Sequence, residues 1–267
     1  LPELLDVPRQ AGSLPRRPVR PAGVTRQGHR PRADVRARAH RDAAALRPWQ
    51  VSLLEAVGLG GTERAHPSAA LTRSGEARQI STDVWAHLQC VHFAAGLNDL
   101  AGVLLHGAAQ LSDEDRNEIA AALQALLRGD GYELHSSRSG DWLVRLPRAL
   151  EVRTVAPEIS FTGPLDRALP QGRDAAALRR LMTELQMVLH EHPVNLRRAR
   201  AGLPAANAVW LWGIGALDEH LAEHAAPSQP LPMAFASDGY LKGLYLSYRQ
   251  SVRDEQFSAT ALANTEG

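Results

Sequence analysis

The chain is predicted to fold as an α/β (or α+β) protein, with a mixed sheet and flanking helices in a single main domain. Three observations carry this. Short apolar runs of strand length alternate with two long segments of helical apolar period. No internal repeat is visible, so the elements must pack as layers around one core. A length of 267 residues with 44% hydrophobic content suffices for such a core.

Taken in order, residues 49–57 place Val51, Leu53, Leu54 and Val57 in a short helix that Gly58 closes. Residues 60–75, bounded by glycines, read as a loop. Residues 84–93 partly alternate and read as a strand. Residues 100–105 form a second one after the Gly96-Leu-Asn-Asp turn, and the two can pair. Ser112-Asp-Glu-Asp115 offers a hydroxyl cap and acids over the positive helix end, ahead of Ile119, Leu123, Leu126 and Leu127. Residues 132–135 and 142–146 read as a β-hairpin with a longer loop, and 147–170 as irregular chain. Residues 174–190 give the clearest helix, with Leu178, Leu181, Met182, Leu185, Val188 and Leu189 on one face expected to pack on the sheet. Pro193 limits its continuation. Residues 208–212 and 233–236 read as strands, and 240–248 as a helix.

The formal charge of +1 hides an asymmetry. Residues 1–41 hold ten arginines against Glu3, Asp6 and Asp34, which leaves about −6 for the rest. Residues 1–42 are therefore set apart as a disordered basic segment, 43–253 as the folded domain and 254–267 as a disordered tail. An arginine-rich arm suits phosphates, but this one has no aromatic residue for stacking, and nucleic acid is not the expected partner. A start at Leu, one Lys against 29 Arg, and an Arg/Pro/Ala/Gly-dominated opening match GC-rich DNA read out of frame. The expectation is that residues 8–42 are frameshifted and that a first strand is missing upstream. The single Cys90 excludes an internal disulfide. No 18-residue apolar run suggests a membrane span, and no apolar leader follows the first arginines, so the expected setting is cytoplasmic.

The densest chemistry lies in His192-Pro-Val-Asn195-Leu-Arg-Arg198-Ala-Arg-Ala-Gly202-Leu-Pro204-Ala-Ala-Asn207-Ala-Val-Trp210-Leu-Trp212-Gly213-Ile-Gly215. It reads as a site-building loop between an apolar helix and an apolar strand. Arg198 offers the forked guanidinium that phosphate and carboxylate groups need, or it ties down the loop through backbone carbonyls. Asn195 and Asn207 can bond a ligand or hold turns. His192 can act as acid, base or anion contact, or fix the turn. Trp210 and Trp212 are expected on opposite strand faces, one at a pocket and one in the core, and Gly213 and Gly215 allow backbone to approach a ligand. No metal set is expected, because alternation puts His87 opposite to Cys90 and His92.

This segment resembles the His-Pro-Val-Asn-x-x-Arg-x-x-x-Gly-x-x-Pro-x-Asn signature of archaeal-type, cofactor-independent phosphoglycerate mutases. It is also similar, through Leu185-Gln-Met187, Leu189, His192 to Asn195 and Asn207 to Gly215, to a bacterial family of RpfE-type regulatory proteins labelled phosphoglycerate-mutase-like. That second resemblance runs over roughly residues 46–250. It implies an α/β domain that binds a small phosphorylated or carboxylated metabolite through Arg198, His192, Asn195, Asn207, Trp212, Gly213 and Gly215, without a cofactor. The mutase resemblance implies the alternative, isomerisation of 2- and 3-phosphoglycerate by a serine nucleophile and two divalent metals held in separate motifs. Those motifs are not found in this sequence, and Trp212 stands where the mutases carry an arginine. On the binding reading, Arg198→Lys should weaken anion binding and leave thermal stability nearly unchanged.

Overall fold

The computed structural model describes residues 46–96, 100–163, 165–224, 227 and 229–252. The expected basic segment, its out-of-frame reading and the C-terminal tail fall outside these residues. The described elements run α1 (Pro48–Ala56), α2 (Ser68–Ala77), β1 (Trp85–Ala95), β2 (Leu100–Leu104), α3 (Asp113–Gly129), β3 (Glu133–Ser136) and β4 (Trp142–Arg145). They continue through β5 (Val152–Arg153), α4 (Pro157–Ser160), α5 (Leu165–Ala168), β6 (Gln171–Gly172), α6 (Ala175–Leu189), α7 (Pro193–Arg200), β7 (Ala208–Gly215), α8 (Leu221–His224) and α9 (Gly239–Ser247).

The 11-residue β1 organises the main sheet. On one edge it pairs with β7. On the other it pairs with β4 through Trp85 to Leu88 and with β2 through Val91 to Ala95, while β3 extends the sheet beyond β4. All these pairs are antiparallel, and β5 and β6 form a separate two-stranded ribbon. Residues directly opposite each other share a face. Thus His87, Leu143 and Trp212 look to one side, and Leu88, Trp142 and Leu211 to the other.

Helices cover both faces. Against Leu88, Trp142 and Val144 pack Ile119, Leu123 and Leu127 of α3 and the Leu178, Met182, Leu185 and Leu189 face of α6. The expected packing of this helix face on the sheet that contains residues 208–212 is what the structure has. Ser112 caps α3 by accepting a bond from the Asp115 amide at 3.1 Å, as its hydroxyl position foretold. The other face, around Trp85 and Leu143, is covered by α2 and α9 through Leu71, Tyr240, Leu244 and Tyr245.

Five expectations are corrected. Residues 147–170 are not irregular throughout, because they hold β5 and the short helices α4 and α5. Residues 60–75 are not a plain loop, because they hold a 3₁₀ turn (Glu63–Ala65) and most of α2. Glycine at position 75 obscured this helix, and the reason for it is contact. A Cβ there would lie 2.0 Å from the Gly239 carbonyl oxygen, and one on Gly243 would lie 1.9 Å from that of Leu71, so α2 and α9 cross backbone to backbone. Residues 233–236 contain an isolated bridge instead of a strand, and Met233 is exposed. The segment after His192 is not a loop throughout, since α7 starts there with Pro193 in the first turn, a position that needs no amide hydrogen. Finally, Trp210 and Trp212 share a face, as strand residues two apart must.

Candidate functional site

The His-Pro-Val-Asn segment folds as a fastener. Buried Asn195 donates through Nδ2 to the carbonyls of Leu189 (2.9 Å) and Ala206 (3.0 Å), and its Oδ1 accepts from the Ala206 amide (2.8 Å). It joins the end of α6 to the approach to β7. Asn207 receives the Phe93 amide (2.7 Å) and donates to the Phe93 carbonyl (3.0 Å), so its carboxamide extends the ladder on the β7 edge of β1. His192 caps α7, its Nδ1 accepting from the Val194 amide at 3.3 Å.

Arg198 is 2% exposed. Its Nε donates to the Pro204 carbonyl (2.9 Å), and its terminal nitrogens donate to those of Ala109 (2.5 Å) and Gln110 (3.4 Å). The guanidinium thus meets backbone carbonyls on both sides of the strand connection. Direct ligand contact, the first of the two roles open to it, is not what this geometry provides.

Gly213 and Gly215 approach their own chain. Gly213 takes a φ of +63° where the β1–β7 register slips by one residue, and a Cβ there would come within 3.1 Å of both Ser68 and His87. One on Gly215 would lie 2.6 Å from Pro67. The Trp212 indole stacks on the His87 imidazole with centroids 4.3 Å apart, while Trp210 meets Phe93 and Phe161 edge-on and donates to the Val155 carbonyl. The seven residues therefore do not meet around one cavity.

Polar groups converge elsewhere, at a gap in the sheet. Between Leu88, the last residue paired with β4, and Val91, the first paired with β2, Gln89 and Cys90 have no partner strand on that edge. A cavity of about 200 Å³ opens at this notch. Arg47 enters from the N-terminal side of α1 and Arg116 from α3, and the hairpin loop supplies Gly140 and Asp141. His106 and Gln110 line it as well, on the turn that Arg198 clamps. The signature arginine thus shapes a wall of the notch from behind.

The notch is charged and partly buried. Arg47 pairs with Asp141 at 2.7 Å and lies 3.0 Å from Glu158 without hydrogen-bond alignment. Its guanidinium also stands 4.9 Å from the centre of the Trp212 ring. Arg116 lies over the Trp142 ring at 5.1 Å and gives one long bond to the Asp141 carbonyl (3.4 Å). Burial lifts the Asp141 carboxyl to about 6, with Arg47 pulling the other way. Burial likewise pushes the Cys90 thiol up to about 12, so it is no nucleophile.

Behind Asp141 a polar line crosses to the α2 side of the sheet. His87 Nδ1 sits 3.9 Å from Asp141 Oδ2 with no hydrogen-bond partner. His87 Nε2 is 3.0 Å from Ser68 Oγ, which also takes a bond from Gln50 Nε2 at 2.8 Å. Burial and then Arg47 hold the imidazole down at about 3, so it is neutral. Sequence reasoning missed Ser68, His87, Arg47, Arg116 and Asp141 as a group, because they come from five separated segments with no shared motif. The one visible sign was Asp141 beside Trp142 at the closing end of the hairpin loop.

Among the described residues no three His, Cys, Asp or Glu side chains come together to hold a metal. These residues do not fit the two-metal centre that the mutase resemblance implies. Nor is any described helix long and apolar enough to cross a membrane.

No protein-family model matches the chain. It is 32% identical over 125 residues to the 2,3-bisphosphoglycerate-independent phosphoglycerate mutase of Methanothrix thermoacetophila, covering 47% of this chain and 29% of that protein. The same-named proteins of Methanosarcina mazei and Methanosarcina acetivorans are 40% identical over 60 residues and 30% identical over 112. These cover 22% and 41% of this chain, and 15% and 28% of theirs. Among solved structures, the cofactor-independent phosphoglycerate mutase of Thermoplasma acidophilum aligns with a TM-score of 0.41 at 14% identity, over 91% of this chain and 72% of that one. The PH0037 protein of Pyrococcus horikoshii aligns at 0.40 and 19% identity, over 74% and 45%. The chain is thus distantly homologous to cofactor-independent phosphoglycerate mutases, and its matches span less than a third of the length of these curated relatives.

Proposed function

We propose that the chain is a phosphoglycerate-mutase-like regulatory protein of the RpfE type, acting in the cytoplasm, that binds a small phosphorylated or carboxylated metabolite at the notch in its sheet. The observation that carries this reading is the approach of two guanidiniums, Arg47 and Arg116, to one cavity from different elements. The only carboxylate lining that cavity among the described residues, Asp141, is held at about 6 by burial. Arg116 is the freer of the two, since its bond to the Asp141 carbonyl is long and its plane rests on Trp142. A guanidinium held by stacking keeps its in-plane donors for a forked anion. In this reading Arg198 acts indirectly, by holding the turn that carries Gln110 against the cavity.

The test is calorimetric titration of the full chain with 3-phosphoglycerate and, separately, inorganic phosphate. We expect saturable binding that weakens with added salt, as screened charge pairing must. Arg116→Ala should abolish it without moving the melting temperature. No heat from either anion at millimolar concentration would overturn the reading. An enolase-coupled assay with and without Mn²⁺ should show no turnover, and activity there would establish the isomerase instead.

A further inference from the structure

On the α2 side of the sheet, Ser68 borders a second cavity, of about 380 Å³, with Glu63, Pro67, Thr154 and Gly213 among its lining. We propose that Ser68 is a nucleophile, activated by His87, that cleaves small esters or thioesters whose acyl part carries an amine or hydroxyl. This site shares Asp141 with the notch, but its chemistry needs no anion bound there, so the two readings are tested apart.

Geometry supplies each part. Ser68 is the first residue of α2, a ten-residue helix whose positive end faces charge developing beside it. Its hydroxyl lies 3.0 Å from His87 Nε2 and takes a bond from Gln50 Nε2 at 2.8 Å, while Gln50 Oε1 stands 3.2 Å away as a competing acceptor, so the imidazole is the nearer of the two acceptors for the hydroxyl proton. The Trp212 ring fixes the plane of the imidazole. Asp141 lies on the far side of that ring at 3.9 Å, about 1 Å beyond hydrogen-bond length. It is a positioning residue, whose negative charge faces the imidazolium that forms and opposes Arg47 and burial, which both disfavour that cation. Gly213 carries no side chain where one would press on both Ser68 and His87.

A further observation points to the ligand. Glu63 is 7% exposed, and its Oε1 accepts from the Gly61 amide at 3.0 Å. Its Oε2 is buried with no hydrogen-bond partner. A buried carboxylate oxygen left unmatched costs free energy that a donor on a bound molecule would recover. This selects an acyl group with an amine or hydroxyl.

In the reaction, Ser68 Oγ attacks the carbonyl carbon as its proton passes to His87 Nε2. The tetrahedral oxyanion collapses, the bond from carbon to the leaving oxygen or sulfur breaks, and the leaving group takes the proton from His87. Water then attacks acyl-Ser68 and gives a proton to His87. The bond from Oγ to carbon breaks, Oγ regains the proton, and a carboxylic acid departs.

The experiment treats the full chain with a fluorophosphonate probe and locates the adduct by peptide mass spectrometry. In parallel it follows p-nitrophenol release from glycine p-nitrophenyl ester and from the propionate ester, which has methyl in place of the amine. One equivalent of adduct on Ser68 is expected, absent in Ser68→Ala and at least tenfold slower in His87→Gln. The glycine ester should react faster than the propionate, and Glu63→Gln should erase that preference. No adduct on the native chain, an adduct on another serine, or equal labelling in His87→Gln would overturn the proposal. If His87→Gln does not fold, Glu63→Gln decides: an unchanged preference for the glycine ester overturns the assigned substrate class, and its loss supports it.

Discussion

Asp141 should make anion binding at the notch depend on pH. Its carboxylate holds Arg47 at 2.7 Å, and burial sets its proton affinity at about pH 6. An anion seated against Arg47 and Arg116 lies on the order of 6 Å from Asp141. An effective dielectric of about 20 then gives roughly 3 kcal/mol of repulsion between the two negative charges. Solvent at the mouth of the notch screens about half of this, leaving about one pKa unit, or tenfold in affinity. Protonation removes the repulsion and the nearer of the two carboxylates that hold Arg47, leaving Glu158, so affinity rises as pH falls through 6. Sulfate, which does not titrate between pH 5 and 8, is the suitable probe. A His106→Gln background removes the histidine on the wall, while His87 stays neutral throughout. Calorimetry should find sulfate bound about tenfold tighter at pH 5 than at pH 8, and Asp141→Asn should bind tightly at both. A flat profile in the native chain, or an unchanged slope in Asp141→Asn, would refute the reasoning.

Three further outcomes follow from packing. Leu185→Ala empties a fully buried position on α6 and should cost about 2–5 kcal/mol in a denaturant titration. Arg198→Lys should lower stability by about 2–3 kcal/mol, because a lysine cannot reach three carbonyls at once and a buried unpaired acceptor is costly. A melting temperature equal to that of the native chain would return Arg198 to the exposed binding role. Gly243→Ala drives a methyl into the Leu71 carbonyl, backbone that has no rotamer to yield, and should cost about 3 kcal/mol by thermal unfolding.

The elements that could be read from sequence are those whose period is set by one core face. Leu178 to Leu189 and Ile119 to Leu127 repeat at helical spacing because each helix lies on one side of the sheet. The α2 helix escaped because its contact is made by absence of side chains, at Gly75 against α9, and glycine in sequence reads as a break. The densest motif proved legible as chemistry but ambiguous as role. Its asparagines and arginine are hydrogen-bonding groups whichever way they point, and only the fold shows that they face backbone. The notch was illegible for another reason: Arg47, Arg116 and Asp141 come from a helix start, a second helix and a hairpin loop, and become neighbours only through packing that no local window contains.

The crossing of α2 and α9 also sets an order of events during synthesis. Backbone contact between Gly75 and Gly239 joins residues 164 positions apart, and no side chain elsewhere can substitute for it. Until α9 has left the ribosome, the sheet face that carries Trp85 and Leu143 lacks half of its cover, and nascent chains truncated before residue 239 should expose apolar surface to chaperones. His66, which meets the Tyr248 hydroxyl at 2.8 Å just past α9, completes the same closure. The last of the described helices therefore seals the layer that also contains Ser68.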